Sequence, residues 1–124
     1  MWYYIQTYLR SKHLTGSVLS VGFSPDGMHI LSGSDDRTIR ILNATGEAIV
    51  KPPKGHTDKV LSVGFSPDGV HLVSSSDDKT IRIWDVRTGE EMMKPLRGLT
   101  SGVDSVGFSP DGTHIVSGSQ DKII

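Results

Sequence analysis

The tetrapeptide Ser-Pro-Asp-Gly occurs three times in 124 residues, ending at Gly27, Gly69 and Gly112, so the copies stand 42 and 43 residues apart. The similarity extends well past the tetrapeptide. Val18 to Phe23 returns as Val60 to Phe65 and as Val103 to Phe108, and Ser32 to Ile41 returns as Ser74 to Ile83 and as Ser117 to Ile123. Three copies in register mark an array of like supersecondary units, none of which can bury its apolar surface without a neighbour.

Within each unit the segments are short, rich in Val, Ile, Phe and Thr, and separated by Pro-Asp-Gly, Asp-Asp-Lys or Arg-Thr-Gly-Glu. These are strand and tight-turn signals, with proline presetting a turn φ and glycine accepting a positive one. No segment carries a convincing helical stripe, so the expected class is all-β. Simple alternation from Val60 to Ser66 puts Val60, Ser62 and Gly64 on one face and Leu61, Val63 and Phe65 on the other. One small face and one bulky face would let the side chains of one sheet enter the space left by the next.

Composition excludes extremes. Thirteen basic and fourteen acidic side chains give a formal charge of -1 with both signs interspersed, which argues against a nucleic-acid or membrane surface built on bulk charge. With no cysteine, a disulfide framework, a thiolate zinc site and a cysteine nucleophile are all ruled out. The stretch Met1 to Leu9 has no basic segment before it and is broken by Tyr3, Tyr4, Gln6, Thr7 and Tyr8, so it makes a poor signal peptide. An intracellular location, cytoplasmic or nuclear, is the expectation.

Gly55-His56, Ser66-Pro67-Asp68-Gly69 and Thr80-Ile81-Arg82-Ile83-Trp84-Asp85 together resemble a WD repeat. The Ser-Pro-Asp-Gly turn is shared with other propeller repeats, but its combination with Gly-His, Trp-Asp and this period is specific. The resemblance covers the chain from about His13 to its end. It implies a partial WD-repeat β-propeller made of four-stranded antiparallel blades, two complete and a third truncated. The repeats divide as 13–54, 55–97 and 98–124, and residues 1–12 form a tail or the outer strand of a preceding blade. A closed ring typically takes about four to eight blades. The remaining blades are thus expected from a longer parent chain or from self-association.

His56, Ser74 and Asp78 imitate a catalytic triad by residue type. In the WD resemblance these three, with Trp84, form a structural tetrad: the indole N–H bonds Ser74, Ser74 meets His56, and His56 donates to Asp78. Such a network gives each buried polar group a partner and avoids roughly 1–3 kcal/mol per orphan. Ser74 sits within an expected strand, with no Gly-x-Ser-x-Gly elbow and no evident oxyanion hole. Only the second repeat has the full set, because Leu14 and Leu42 replace the histidine and tryptophan in the first repeat and Leu99 replaces the histidine in the third. A blade can exchange a polar network for apolar packing, whereas a recurring active site could not. No catalytic residue, cofactor or metal is therefore expected.

His29, His71 and His114 recur once per repeat, but equivalent strands of neighbouring blades lie about 10 Å or more apart, too far to converge on one ion. There is no Gly-x-x-x-x-Gly-Lys-Ser/Thr phosphate loop, and Asp35-Asp36 and Asp77-Asp78 lack the further oxygen ligands of a calcium loop.

In WD propellers, partners commonly meet strand ends near the central channel. The resemblance carries those positions onto Lys59, Leu61 and Asp77 in the second repeat, Ser17, Leu19 and Asp35 in the first, and Gly102, Asp104 and Gln120 in the third. Leu19 and Leu61 stand out, since an apolar side chain at an exposed strand entry invites a cover. The implied function is a non-catalytic scaffold for protein or peptide partners. Two alternatives stay open. The chain could be the WD sensor module of a larger signalling NTPase, since near-identical tandem WD repeats resemble those that follow the NACHT domain in fungal proteins. It could also be an enzyme using His56, Ser74 and Asp78.

Overall fold

The structure is a computed structural model that describes residues 16–43, 53–97 and 101–119. Eight strands form in chain order: β1 (Val18–Phe23), β2 (His29–Ser34), β3 (Ile39–Asn43), β4 (Val60–Phe65), β5 (His71–Ser76), β6 (Ile81–Asp85), β7 (Val103–Phe108) and β8 (Ile115–Ser119). They make two antiparallel three-stranded meanders, β1-β2-β3 and β4-β5-β6, and a hairpin, β7-β8, and the described residues contain no helix. The all-β expectation holds, and each sheet is one repeat.

The hairpin turns explain the Ser-Pro-Asp-Gly signature. In the second repeat Ser66 Oγ donates to Asp68 Oδ1 at 2.5 Å, which also accepts the Val70 N–H at 3.0 Å. Gly69 takes φ 73° and donates its N–H to the Ser66 carbonyl at 2.9 Å. The His71 N–H closes the turn on Ser66 Oγ at 3.0 Å. The same bonds recur around Asp26 and Asp111. Serine, aspartate and glycine are each required: a hydroxyl that both gives and accepts, a carboxylate acceptor, and a backbone free to be left-handed.

Four-stranded blades are not completed among the described residues. The second sheet comes nearest, because the chain after β6 turns back along it. Met92 donates to the Ile83 carbonyl at 2.8 Å, and Ile81 and Leu96 exchange bonds of 3.1 and 2.8 Å. Only two isolated bridges result, Trp84 with Glu91 and Ile81 with Leu96, so three steps along β6 correspond to five along its partner. The slip falls on Met92-Met93-Lys94-Pro95, where Pro95 has no N–H to give the ladder.

The sheets stack face to face. Val60, Val63, Leu72 and Trp84, with Phe65, cover Leu31, Ile39 and Ile41 of the first sheet. Val103 and Val106, with Phe108 and Ile115, cover Val73 and Ile81 of the second. Simple alternation therefore fails at the start of β4, because Val60 and Val63 share a face. The reason is a β-bulge: Val60 pairs with Ser76 and Ser62 with Ser75, which leaves Leu61 as an extra residue and inverts the alternation beyond it. After the bulge, Val60, Val63 and Phe65 are the bulky face and Ser62 and Gly64 the small one. Gly33 shows how close the sheets come, since a Cβ there would sit 2.7 Å from Val60 Cγ1.

Candidate functional site

The histidine, serine, aspartate and tryptophan of the second repeat meet in one place, between the first two sheets. β5 presents Ser74 and β6 presents Trp84, while the loop before β4 carries His56 and the β5–β6 turn carries Asp78. Trp84 Nε1 donates to Ser74 Oγ at 2.9 Å, His56 Nε2 lies 2.6 Å from the same oxygen, and His56 Nδ1 lies 2.8 Å from Asp78 Oδ2. These partners set the tautomer: Nδ1–H donates to the carboxylate, and Nε2 accepts the serine hydroxyl. The imidazole also meets the indole edge-on, with centroids 6.1 Å apart at 63°.

Electrostatics agree with a neutral imidazole. Burial pushes the His56 pKa below its ordinary 6.5, against the opposing pull of Asp78. Burial works to raise Asp78, yet hydrogen bonds from Thr80 and His56 hold its carboxyl below 3.8. The Asp78 carboxylate also accepts the Thr57 N–H at 3.1 Å and the Thr80 N–H at 3.0 Å, which ties the loop before β4 to the β5–β6 turn. Gly55 lies close beside it, where a Cβ would stand 2.8 Å from Arg82 Nη1 and 3.1 Å from the Trp84 ring.

Chemically, this arrangement ties the loop before β4 to β5, the β5–β6 turn and β6. Ser74 is fully buried, and its hydroxyl is engaged by both Trp84 and His56. In the first repeat Leu42 occupies the tryptophan's place, opposite Ile30 as Trp84 is opposite Leu72. Leu14, Leu99 and the segment 1–12 lie outside the described residues.

A different set of residues faces outward at the start of the first strand of each repeat. The bulge at Leu61 recurs in the other two repeats, where the register skips Leu19 in β1 and Asp104 in β7. These are three of the positions expected to meet a partner. A bulge releases its extra residue from the ladder and re-aims the side chain. Leu19 is accordingly 43% exposed, Leu61 half-buried and Asp104 exposed. β4 lies beside both β1 and β7, so the three form one row along the stack. Backbone bonds bring the other expected positions to the same end: the Asp35 N–H reaches the Ser17 carbonyl at 3.0 Å and the Asp77 N–H reaches the Lys59 carbonyl at 3.1 Å. Asp35 Oδ1 accepts the Ser17 N–H at 2.6 Å, while Asp77 lies against Gly102 of the following repeat, 2.3 Å from where a Cβ would stand. Lys59 and Asp77 are exposed. Gln120 lies outside the described residues.

The repeated histidines each follow a turn and give the backbone N–H to the turn serine at 3.0 Å; His29 and His71 begin β2 and β5, and His114 directly precedes β8. Among the described residues no three His, Asp or Glu side chains gather as ligands for one metal ion.

Stacked antiparallel sheets of three, three and two strands, with an interlocked polar tetrad and a bulge repeated in β1, β4 and β7, define a blade-repeat protein of the propeller class. The family profile for the WD domain, G-beta repeat, matches residues 4–43, 48–85 and 91–124. The chain belongs to the WD-repeat family. No curated protein matches it. Domains of this family are generally protein-interaction scaffolds and typically non-catalytic.

Proposed function

We propose that the chain docks a protein or peptide partner on the row of bulge residues, Leu19, Leu61 and Asp104, flanked by Lys59, Asp35 and Asp77, and carries out no catalysis. The observation that carries this reading is the bulge itself. It occurs at the same position in all three repeats and releases that side chain from the ladder, while in the second and third repeats the valines on either side of it are buried. Burial of the leucines would supply affinity, and the flanking charges would set orientation and choice of ligand. An extended peptide with apolar side chains beside Leu19 and Leu61, and a basic group toward Asp77 or Asp104, has the matching chemistry. The site would operate inside the cell.

A peptide library displayed on phage and selected against the chain tests this. Selected peptides should lose binding on the order of tenfold or more to Leu61→Asp, since truncating or repelling one central anchor is worth about 2 kcal/mol. The variant's urea midpoint should be unchanged. Peptides that bind wild type and variant alike would overturn the assignment. For the enzyme alternative, covalent labelling of Ser74 in the folded chain by a serine-directed fluorophosphonate would be the supporting result.

A further inference from the structure

Every Asp-Gly step in the sequence, Asp26-Gly27, Asp68-Gly69 and Asp111-Gly112, falls in one of the hairpin turns. That dipeptide is chemically weak, because no Cβ on the glycine shields its amide nitrogen. The nitrogen can attack Cγ of the protonated aspartyl side chain: an N–Cγ bond forms, the C–O bond breaks, and the amide proton leaves with the hydroxyl as water. The product is a five-membered succinimide. A water molecule then opens the ring at either carbonyl, which returns aspartate or gives isoaspartate, whose backbone runs through the former side chain and is one methylene longer. Water, released in the first step and consumed in the second, is the only co-reactant.

The turns oppose the first step at each of its parts. The nucleophile is engaged, since the N–H groups of Gly27, Gly69 and Gly112 each donate to the carbonyl of the turn serine at 2.9 Å. The electrophile is held elsewhere. Oδ1 of Asp26, Asp68 and Asp111 accepts the serine hydroxyl at 2.5, 2.5 and 2.6 Å, and the N–H of Met28, Val70 and Thr113 at 2.9, 3.0 and 3.0 Å. The leaving oxygen departs from the protonated acid, yet these donors, the serine hydroxyl first, keep all three carboxyls ionised below the ordinary 3.8. Burial plays no part in the protection, because all three aspartates are exposed. Water reaches each one as soon as its hydrogen bonds open.

We propose that Asp26, Asp68 and Asp111 are isoaspartate-forming sites that the hydrogen-bonded turns hold closed, so that the modification is written on chains whose turns have opened. The written turn does not re-form. At position 68 the inserted methylene lengthens the hairpin connection and moves the free carboxylate onto the α-carbon, so Ser66 Oγ, the Val70 N–H and the Ser66 carbonyl lose their partners together. Neighbouring turns feel the change, because Pro25 Cδ lies 3.6 Å from the Cβ position of Gly69 and Pro67 Cδ lies 3.5 Å from that of Gly112. The free α-carboxylate is a group that no unmodified residue presents within a chain, and it is the chemistry an isoaspartyl-directed carboxyl methyltransferase would read. These turns follow the ends of β1, β4 and β7, whereas the bulges lie at the starts of those strands, so the inference stands apart from the proposed docking row.

Incubation of the chain in heavy-oxygen water at neutral pH tests this, because each ring opening leaves one heavy oxygen in the product whichever carbonyl is attacked. Peptide mass spectrometry then reads the label at each aspartate. Labelling at Asp26, Asp68 and Asp111 should be on the order of tenfold or more slower in buffer than in guanidinium, since the reaction tracks the small open fraction of the folded chain. Methyl transfer by an isoaspartyl-specific carboxyl methyltransferase should rise in step with the label. Ser66→Ala removes the hydroxyl that clasps Asp68 and should speed labelling there severalfold, or at all three sites where the variant opens the whole fold. Thr113→Val leaves the fold intact, because Thr113 is exposed, and removes a further donor to Asp111, its hydroxyl at 2.7 Å. It should speed labelling at Asp111 and leave Asp26 and Asp68 as they were. Equal labelling with and without guanidinium, or no rise at Asp111 in Thr113→Val, would overturn the proposal.

Discussion

His56 is held neutral by burial and keeps both ring nitrogens occupied, so it acts through what it connects. Removing it orphans the Ser74 hydroxyl on one side and the Asp78 carboxylate on the other. His56→Ala and Trp84→Phe are each expected to lower stability by roughly 1–3 kcal/mol, the penalty of unpaired buried partners, read as a shift of the urea midpoint. Unchanged midpoints would show that the network contributes nothing. A neighbouring serine gives the opposite sign. Ser75 is fully buried and its hydroxyl has no hydrogen-bond partner, at the position where the other repeats have Gly33 and Gly118. Ser75→Ala keeps the Cβ and removes the unsatisfied group, and should raise stability by about 1 kcal/mol in the same assay. The tetrad residues could be named through the resemblance to a WD repeat. The orphaned hydroxyl could not, because serine in a strand looks alike whether its oxygen is paired or not.

At the scale of the strand, the decisive feature is a single extra residue. Strand boundaries and turns follow from β-branched runs and from Ser-Pro-Asp-Gly. The bulge has no such local mark, since Val-Leu-Ser-Val reads as uniform alternation until its pairing with Ser76 and Ser75 is known. That residue decides both which valines are buried and which leucine is turned out. The partner strand also sets what each glycine is for. Gly33→Ala would force a Cβ to 2.7 Å from Val60 Cγ1 and should cost about 1–3 kcal/mol, as overpacking does. Gly118→Ala, at the same position of the third repeat, meets nothing and should stay within about 0.5 kcal/mol in a dilute sample. Thermal melts of the two variants check this, and equal effects would mean that the sheets do not stack as described.

Over the whole molecule, acid should weaken the fold in two stages. The folded His56 titrates below 6.5 and the unfolded one near it, so the unfolded chain takes up that proton first. Stability is complete above about pH 6.5 and declines as the pH falls below it. The hydrogen bond from Ser109, and after it those from Thr113, hold the Asp111 carboxyl at about 2 against an ordinary 3.8, so its contribution is present above 3.8 and lost toward 2. Asp26 and Asp68, bonded by Ser24 and Ser66, are lowered in the same way. Urea midpoints measured from pH 8 to about 3 should fall in both windows, and His56→Ala should remove the upper decline. A wild-type midpoint that rises between pH 6.5 and 5 would contradict the neutral, buried histidine.

The residue order alone determined the repeat, the all-β class and the turns, while the tetrad followed from the resemblance to a WD repeat. The repeat, the class and the turns rest on interactions within about four residues or on a recurrence along the chain, and both can be counted in one dimension. The tertiary structure decided the parity of β1, β4 and β7, the slipped edge along β6, and which copy of a repeated residue is buried. Val63 and Val21 have the same neighbours in sequence, yet Val63 is covered by the first sheet and Val21 is 37% exposed. Their difference lies in what is stacked against them, because burial is a property of the surface on the other side.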